Sequence, residues 1–154
     1  MSDRSVVHAT FAIERTYEAT PARVFAAWAE PAAKASWFGP PSVGHESREF
    51  DFRVGGLERF EVPGPDGASY RFDCRYADIV DGQRIVYAYD MYRGDTRISV
   101  SLATIELEPS DAATKLTFTE QGAFLDGHDT PAEREHGTRA LLDNLATVLQ
   151  EGTS

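Results

Sequence analysis

From residue 48 to residue 120 the chain alternates hydrophobic and polar positions in short runs broken by turn residues. Such alternation predicts strands with one dry and one wet face. In 48–54, Phe50, Phe52 and Val54 oppose Glu49, Asp51 and Arg53. Gly55-Gly56 then makes a turn or bulge, and a strand over 57–62 follows. Pro63-Gly64-Pro65-Asp66-Gly67 reads as a hairpin loop. The next run, 69–76, sets Tyr70, Phe72, Cys74 and Tyr76 against Arg71, Asp73 and Arg75. Asp81-Gly82 signals a two-residue hairpin turn before 84–92, where Ile85, Tyr87, Tyr89 and Met91 share a face. In 96–108, Ile98, Val100 and Leu102 fall in one phase and Ile105 and Leu107 in the other, which predicts a bulge between them. Leu116 and Phe118 mark a last strand over 114–120, and Phe11, Ile13 and Tyr17 mark a first over 8–17.

Helical periodicity appears in two places. Thr20-Pro21 is an N-cap followed by Pro at the first helical position, leading into Val24, Phe25 and Trp28. Pro31 opens a second short helix that runs through Trp37 and Phe38 and stops at Gly39-Pro40-Pro41. At the far end, Thr130-Pro131-Ala132-Glu133 reads as a capping box for a long helix over 130–150. Its predicted apolar stripe is Leu141, Leu145 and Val148, flanked by Leu142 and Leu149. Toward the N-terminus that stripe passes Arg134, Gly137 and Thr138, so the inner face becomes small and polar. Either space lies beneath this half of the helix, or Gly137 packs closely on a bulky aromatic. The pattern predicts an α+β domain: a curved antiparallel sheet of six to seven strands, two short helices, and a long helix over the dry face. A cavity between helix and sheet is the expected small-molecule site.

At 154 residues, 42% of them hydrophobic, the chain is expected to form a single domain spanning 1–154 with its core over 9–149. The net charge of −10 disfavours nucleic acid and anionic membrane surfaces as partners. Cys74 is the only cysteine, which fits a reducing compartment, and its place in a strand reads as a small buried residue rather than a reactive thiol. Residues 1–12 hold no apolar signal segment, and no run approaches the roughly 20 residues of a membrane span, so the expected location is the cytoplasm.

Several blocks resemble a known family. They are the stretch from Arg15-Thr16-Tyr17 through Pro21 to Ala27-Trp28, then Trp37-Phe38-Gly39-Pro40, Phe50-Asp51-Phe52-Arg53-Val54-Gly55-Gly56, and the Pro65-Asp66-Gly67 loop. With the order of elements, they resemble the START-like or SRPBCC helix-grip superfamily, which includes birch-pollen-type allergens and polyketide cyclases. Within it the chain is most similar to the group named after the C-terminal domain of the heat-shock-protein-90 ATPase activator. The resemblance covers about residues 9–149 and implies a helix-grip fold with a ligand-binding cavity, not a particular reaction. Co-chaperone activity in the named protein relies on an additional domain with no counterpart in this sequence. Two departures stand out. Gly137-Thr138 occupies the place where many members carry Gly-Trp, which implies a larger or more polar cavity mouth. Glu58 stands where the family's phase places an apolar or aromatic residue.

Candidate chemistry is sparse. His8, His45, His128 and His136 have no zinc-ligand spacing, no nucleophile elbow or phosphate-binding loop is present, and no metal or cofactor is expected. Glu58 shares parity with Phe60 and Val62. It either faces the cavity, with Arg97 or Arg134 as partner, or is turned to solvent by a local twist. Glu120 is in phase with Phe118, near Phe124 and His128. A Glu120–His128 pair could do acid–base work on a carbonyl; equally, His128-Asp129 could be exposed residues preceding the helix cap. The expected ligand contacts are the aromatics Trp37, Phe38, Phe60, Tyr70, Phe72, Tyr87, Tyr89 and Phe118, with Glu58, Glu120, Arg134, Thr138 and Leu141. The favoured function is binding of a small, largely hydrophobic molecule, such as a lipid, polyketide or aromatic. The alternatives are a cyclase- or hydrolase-like enzyme using Glu58, Glu120 or His128, and a protein-interaction domain, which would need an exposed apolar patch. Edge strands leave a homodimer open, and the sequence does not decide the oligomeric state.

Overall fold

The computed structural model describes residues 4–40, 48–64 and 66–151. Ten elements follow in order: β1 (Val6–Tyr17), α1 (Pro21–Ala29), α2 (Pro31–Ala35), β2 (Glu49–Phe50), β3 (Leu57–Pro63), β4 (Ser69–Val80), β5 (Arg84–Arg93), β6 (Thr96–Ser110), β7 (Ala113–Leu125) and α3 (Pro131–Glu151). The strands form one antiparallel sheet in the order β1-β7-β6-β5-β4-β3-β2. From β2 to β7 the sheet is a meander of neighbours; β1 closes the other edge against β7. This is the α+β helix-grip architecture that the alternation and the C-terminal helix predict.

Both predicted N-caps form, but the capping box is only half made: Thr130 N donates to Asp129 Oδ1 at 2.8 Å rather than to the Glu133 side chain. Thr20 Oγ1 accepts from Arg23 N at 3.2 Å, and Thr130 Oγ1 accepts from Glu133 N at 3.1 Å. The core joins the dry faces of β4 (Phe72, Cys74, Tyr76), β5 (Ile85, Tyr87, Tyr89) and β7 (Leu116, Phe118) to Trp28 of α1 and Leu142, Leu145 and Leu149 of α3. Two polar ties fix α3 to the rest: Tyr17 Oη donates to the Leu142 carbonyl at 2.9 Å, and the Arg23 guanidinium donates to the Leu149 carbonyl. Both ties fall in the C-terminal half of α3.

Five expectations need correction. The strand predicted over 48–54 is only Glu49–Phe50. Beyond it the chain turns back: Asp51 N donates to the Leu57 carbonyl, and Gly56 N to the Arg53 carbonyl. Gly55 has φ +84°, and a Cβ on Gly56 would lie 2.0 Å from the Asp51 carbonyl oxygen. The glycine pair is therefore a steric requirement of the turn. Val54, expected beside Phe50 and Phe52, is exposed.

The phase change in β6 comes earlier than predicted. Met91 pairs with Ser99 and Tyr92 with Arg97, so Ile98 is the extra residue of a bulge. Ile98 and Ser99 are both buried, after which Ser101, Ala103, Ile105 and Leu107 continue the dry face. Val100 and Leu102, expected inside, are 40% and 37% exposed. Of the two serines on this inner face, Ser99 accepts a hydrogen bond from the buried Arg134.

The face of α3 is rotated from the expected one. Its buried residues are Arg134, Thr138, Leu142, Leu145 and Leu149, a 4-4-3-4 spacing that traces one face; Leu141 and Val148 flank it. Lastly, α2 ends at Ala35, so Trp37 and Phe38 lie beyond the helix rather than in it. The turn between β4 and β5 holds three residues, 81–83, because Val80 pairs with Arg84.

Candidate functional site

Between the N-terminal half of α3, the dry face of the sheet and residues 37–40 lies a cavity of about 470 Å3. Such a volume falls in the roughly 300–1,000 Å3 range of small-molecule sites. Strand alternation builds its floor: Phe60 of β3, Phe72 of β4, and Tyr87 and Tyr89 of β5. Phe72 is the hub, with ring centroids 5.0 Å from Tyr89, 5.2 Å from Phe60 and 5.4 Å from Phe38. On the opposite wall Trp28 meets Trp37 edge-on at 4.7 Å and stacks at 6.5 Å on Phe118. Gly137, Thr138, Leu141 and Leu142 of α3 form the roof, and Val62, Tyr70 and Met91 extend the wall.

Nothing lies within 4 Å of the position a Cβ would take on Gly137. That excludes close packing of Gly137 on an aromatic; Gly137 is exposed and sits at the rim of the cavity.

One end of the cavity is polar. Glu120 of β7, His128, Asp129, Glu133 and Arg134 line it. Arg134 is 9% exposed, and both its terminal nitrogens are fully engaged. Its Nη1 donates to Tyr89 Oη at 2.8 Å and to Glu120 Oε2 at 3.3 Å. Its Nη2 donates to Ser99 Oγ and Asp129 Oδ2, each at 2.7 Å. Burial pulls the guanidinium pKa down, but the partners Tyr89, Glu120 and Asp129 outweigh it and hold Arg134 above its ordinary range. Tyr89 is pushed up by burial against the pull of Arg134, so its phenol stays neutral and donates to Glu120 Oε2 at 2.8 Å. The expected Glu120–His128 pair is replaced by this Glu120–Tyr89–Arg134 group, because Glu120 of β7 reaches across β6 to Tyr89 of β5 and meets Arg134 of α3. His128 lines the cavity without a hydrogen bond to Glu120. Two buried polar atoms of lining residues have no hydrogen-bond partner among the described residues, Glu120 Oε1 and Trp28 Nε1.

Of the expected ligand contacts, Trp37, Phe38, Phe60, Tyr70, Phe72, Tyr87, Tyr89, Phe118, Glu120, Arg134, Thr138 and Leu141 all line this cavity. Glu58 does not. It is buried behind the floor, paired with neither Arg97 nor Arg134. Lys34 Nζ donates to Glu58 Oε1 at 2.6 Å, Tyr76 Oη donates to the same oxygen at 2.6 Å, and Arg48 Nη1 stands 3.7 Å from Oε2. Arg97 instead lies on the surface with Asp90 and Tyr92. Lys34 Nζ sits 4.2 Å from the Phe38 ring centroid, with Trp28, Phe50, Tyr76 and Tyr87 within 5.7 Å. The Arg48 guanidinium lies 4.0 Å over Phe60. Sequence reading missed Lys34 altogether. The available signal was indirect: a buried carboxylate demands a cation, and Lys34 is the only Lys or Arg between Arg23 and Arg48.

Other chemistry is thin. Among the described residues no group of three His, Cys, Asp or Glu could hold a metal ion, and His45 lies outside them. Burial, chiefly, pushes the Cys74 thiol well above its usual range. No helix among the described residues is long and apolar enough to cross a membrane. On the outer face of the sheet, Val100 and Leu102 lie beside Ala88, His8 and Ala123 in a shallow apolar depression that the sequence reading did not anticipate.

The fold aligns with solved structures along most of their length. An uncharacterized protein from Rhizobium leguminosarum is 46% identical, with 96% of this chain and 98% of that one covered and a TM-score of 0.91. Protein Mll3558 from Rhizobium loti is 47% identical over 94% and 99%, with a TM-score of 0.87. Protein CV1439 from Chromobacterium violaceum is 28% identical over 91% and 96%, with a TM-score of 0.73. No curated protein matches the chain. The sequence model described as "Activator of Hsp90 ATPase homolog 1-like protein" matches residues 18–150. The chain therefore belongs to the activator of Hsp90 ATPase homolog 1-like family.

Proposed function

We propose that the protein binds a small, largely apolar molecule in the cavity between α3 and the sheet. The carrying observation is the cavity itself: about 470 Å3, walled by aromatic rings, with ionisable groups confined to one end. An apolar floor with a few convergent polar groups is the usual make-up of a small-molecule site. Family membership supports a container rather than a particular ligand. An aromatic molecule would lie on Phe72 and Tyr89 with one edge toward Phe118 and Trp28; a lipid chain would follow the same wall. The ligand contacts are then Trp37, Phe38, Phe60, Tyr70, Phe72, Tyr87, Tyr89, Phe118, Thr138 and Leu141, with Glu120 and Arg134 at the polar end.

The chain's two tryptophans, Trp28 and Trp37, both line the cavity. Intrinsic tryptophan emission is thus a direct reporter of occupancy. Titration with non-fluorescent medium-chain alcohols and substituted cyclohexanes is expected to give a saturable change in emission for at least one compound class. Emission that stays unchanged to the solubility limit for every class would overturn the reading.

A further inference from the structure

The polar end of the cavity carries three carboxylates, Glu120, Asp129 and Glu133, against one guanidinium, Arg134. An anionic ligand would look to that guanidinium, but both terminal nitrogens of Arg134 already make two bonds each, to Tyr89, Glu120, Ser99 and Asp129. A terminal guanidinium nitrogen has two hydrogens, so neither has one left to give. Glu120 is in the opposite condition. It is 1% exposed; its Oε2 accepts two hydrogen bonds, and its Oε1 accepts none from the described residues. A buried carboxylate oxygen without a donor is costly, and a hydrogen bond to a charged group is among the stronger kinds.

We infer that the cavity selects a ligand with an apolar body and a neutral or cationic hydrogen-bond donor, a hydroxyl or an amine, which docks on Glu120, and that it discriminates against carboxylic acids. The inference rests on the container reading and specifies its ligand class. Aromatic floor and acidic end act together: the rings hold the body, and an ammonium or hydroxyl adds its donor to Glu120. A carboxylate of the same shape meets three like charges, a guanidinium with no free terminal hydrogen and, as the unpaired buried donor of the lining, only the uncharged Trp28 Nε1. Free fatty acids and aryl carboxylates are thereby disfavoured relative to the corresponding alcohols and amines.

The test uses one bicyclic body with four heads: 2-methylnaphthalene, 2-naphthylmethanol, 2-naphthylmethylamine and 2-naphthoate, measured by ligand-observed NMR and calorimetry on the full chain. The alcohol and the amine are expected to bind roughly tenfold or more tightly than the hydrocarbon, with naphthoate weakest. Glu120→Gln presents an amide in place of the free oxygen, so the alcohol and amine lose that advantage while the hydrocarbon keeps its affinity. A folded state is checked by circular dichroism. If Glu120→Gln does not fold, the four heads are ranked on the wild-type chain alone, where an alcohol and an amine no tighter than the hydrocarbon would overturn the inference. Naphthoate binding as tightly as the alcohol would overturn the inference and leave the container intact, as would a donor advantage that survives Glu120→Gln. Failure of all four compounds, the hydrocarbon included, would instead count against the container reading and take the inference with it.

Discussion

Lys34 Nζ lies 2.6 Å from Glu58 Oε1, and both side chains are almost wholly shielded from water, at 2% and 1% exposure. A pair this deep gains little over a matched apolar pair, but each partner depends on the other. Tyr76 and Arg48 complete the group, and burial foremost, with the Glu58 charge next, drives the Tyr76 phenol far above its usual pKa. Glu58 is therefore a charge partner for a buried cation, not a spare acid of the cavity.

Removing one member should be costly. Glu58→Gln leaves the buried Lys34 without its carboxylate and is expected to cost about 3–5 kcal/mol in urea unfolding. The double variant Lys34→Met/Glu58→Gln should recover a large part of that loss. A single variant as stable as the wild type would contradict the assignment.

The orientation of α3 separates two adjacent leucines. Leu142 is 1% exposed in the core, and Leu141 lines the cavity at the edge of the buried face. Leu142→Ala should cost roughly 2–5 kcal/mol, and Leu141→Ala less than half as much. Equal losses would place the helix in the rotated position that its sequence alone suggests.

Cys74 is buried, and its thiol is held in the neutral form by that burial. The thiolate is the reactive species, so alkylation by iodoacetamide at pH 8 should follow unfolding rather than precede it. Adding urea past the transition should release full labelling. Rapid labelling of the native protein would mean that the floor between β3 and β5 opens readily.

Thr138 is buried in the roof, its hydroxyl donating to the Arg134 carbonyl at 3.0 Å. Thr138→Trp fills the space beneath the helix. On the container reading it weakens any cavity ligand at least tenfold. Unchanged affinity would mean that ligands enter and sit elsewhere.

Strand alternation, turn residues and caps made the sheet, the helices and most of the aromatic wall of the cavity legible in the sequence. These signals are local, and each residue type reports its own environment. Errors arose where a neighbour's demand overrode local pattern. Val100 and Leu102 read as core, yet the bulge at Ile98 turned Ser99 and Ser101 inward, and Ser99 takes a hydrogen bond from Arg134. Likewise Glu58 was legible as an anomaly, but its partners Lys34 and Arg48 lie 24 and 10 positions away on other segments. No periodicity couples them. The pairing of Glu120 with Tyr89 and Arg134 is of the same kind, made by the register of β5, β6 and β7.

Native mass spectrometry of freshly purified protein, followed by organic extraction of whatever is bound, tests the central claim most directly. The account predicts a near-stoichiometric adduct that dissociates on activation and is an apolar molecule bearing a hydroxyl or amine. A protein found empty, whose melting temperature also fails to respond to any apolar alcohol, amine or hydrocarbon, would contradict it.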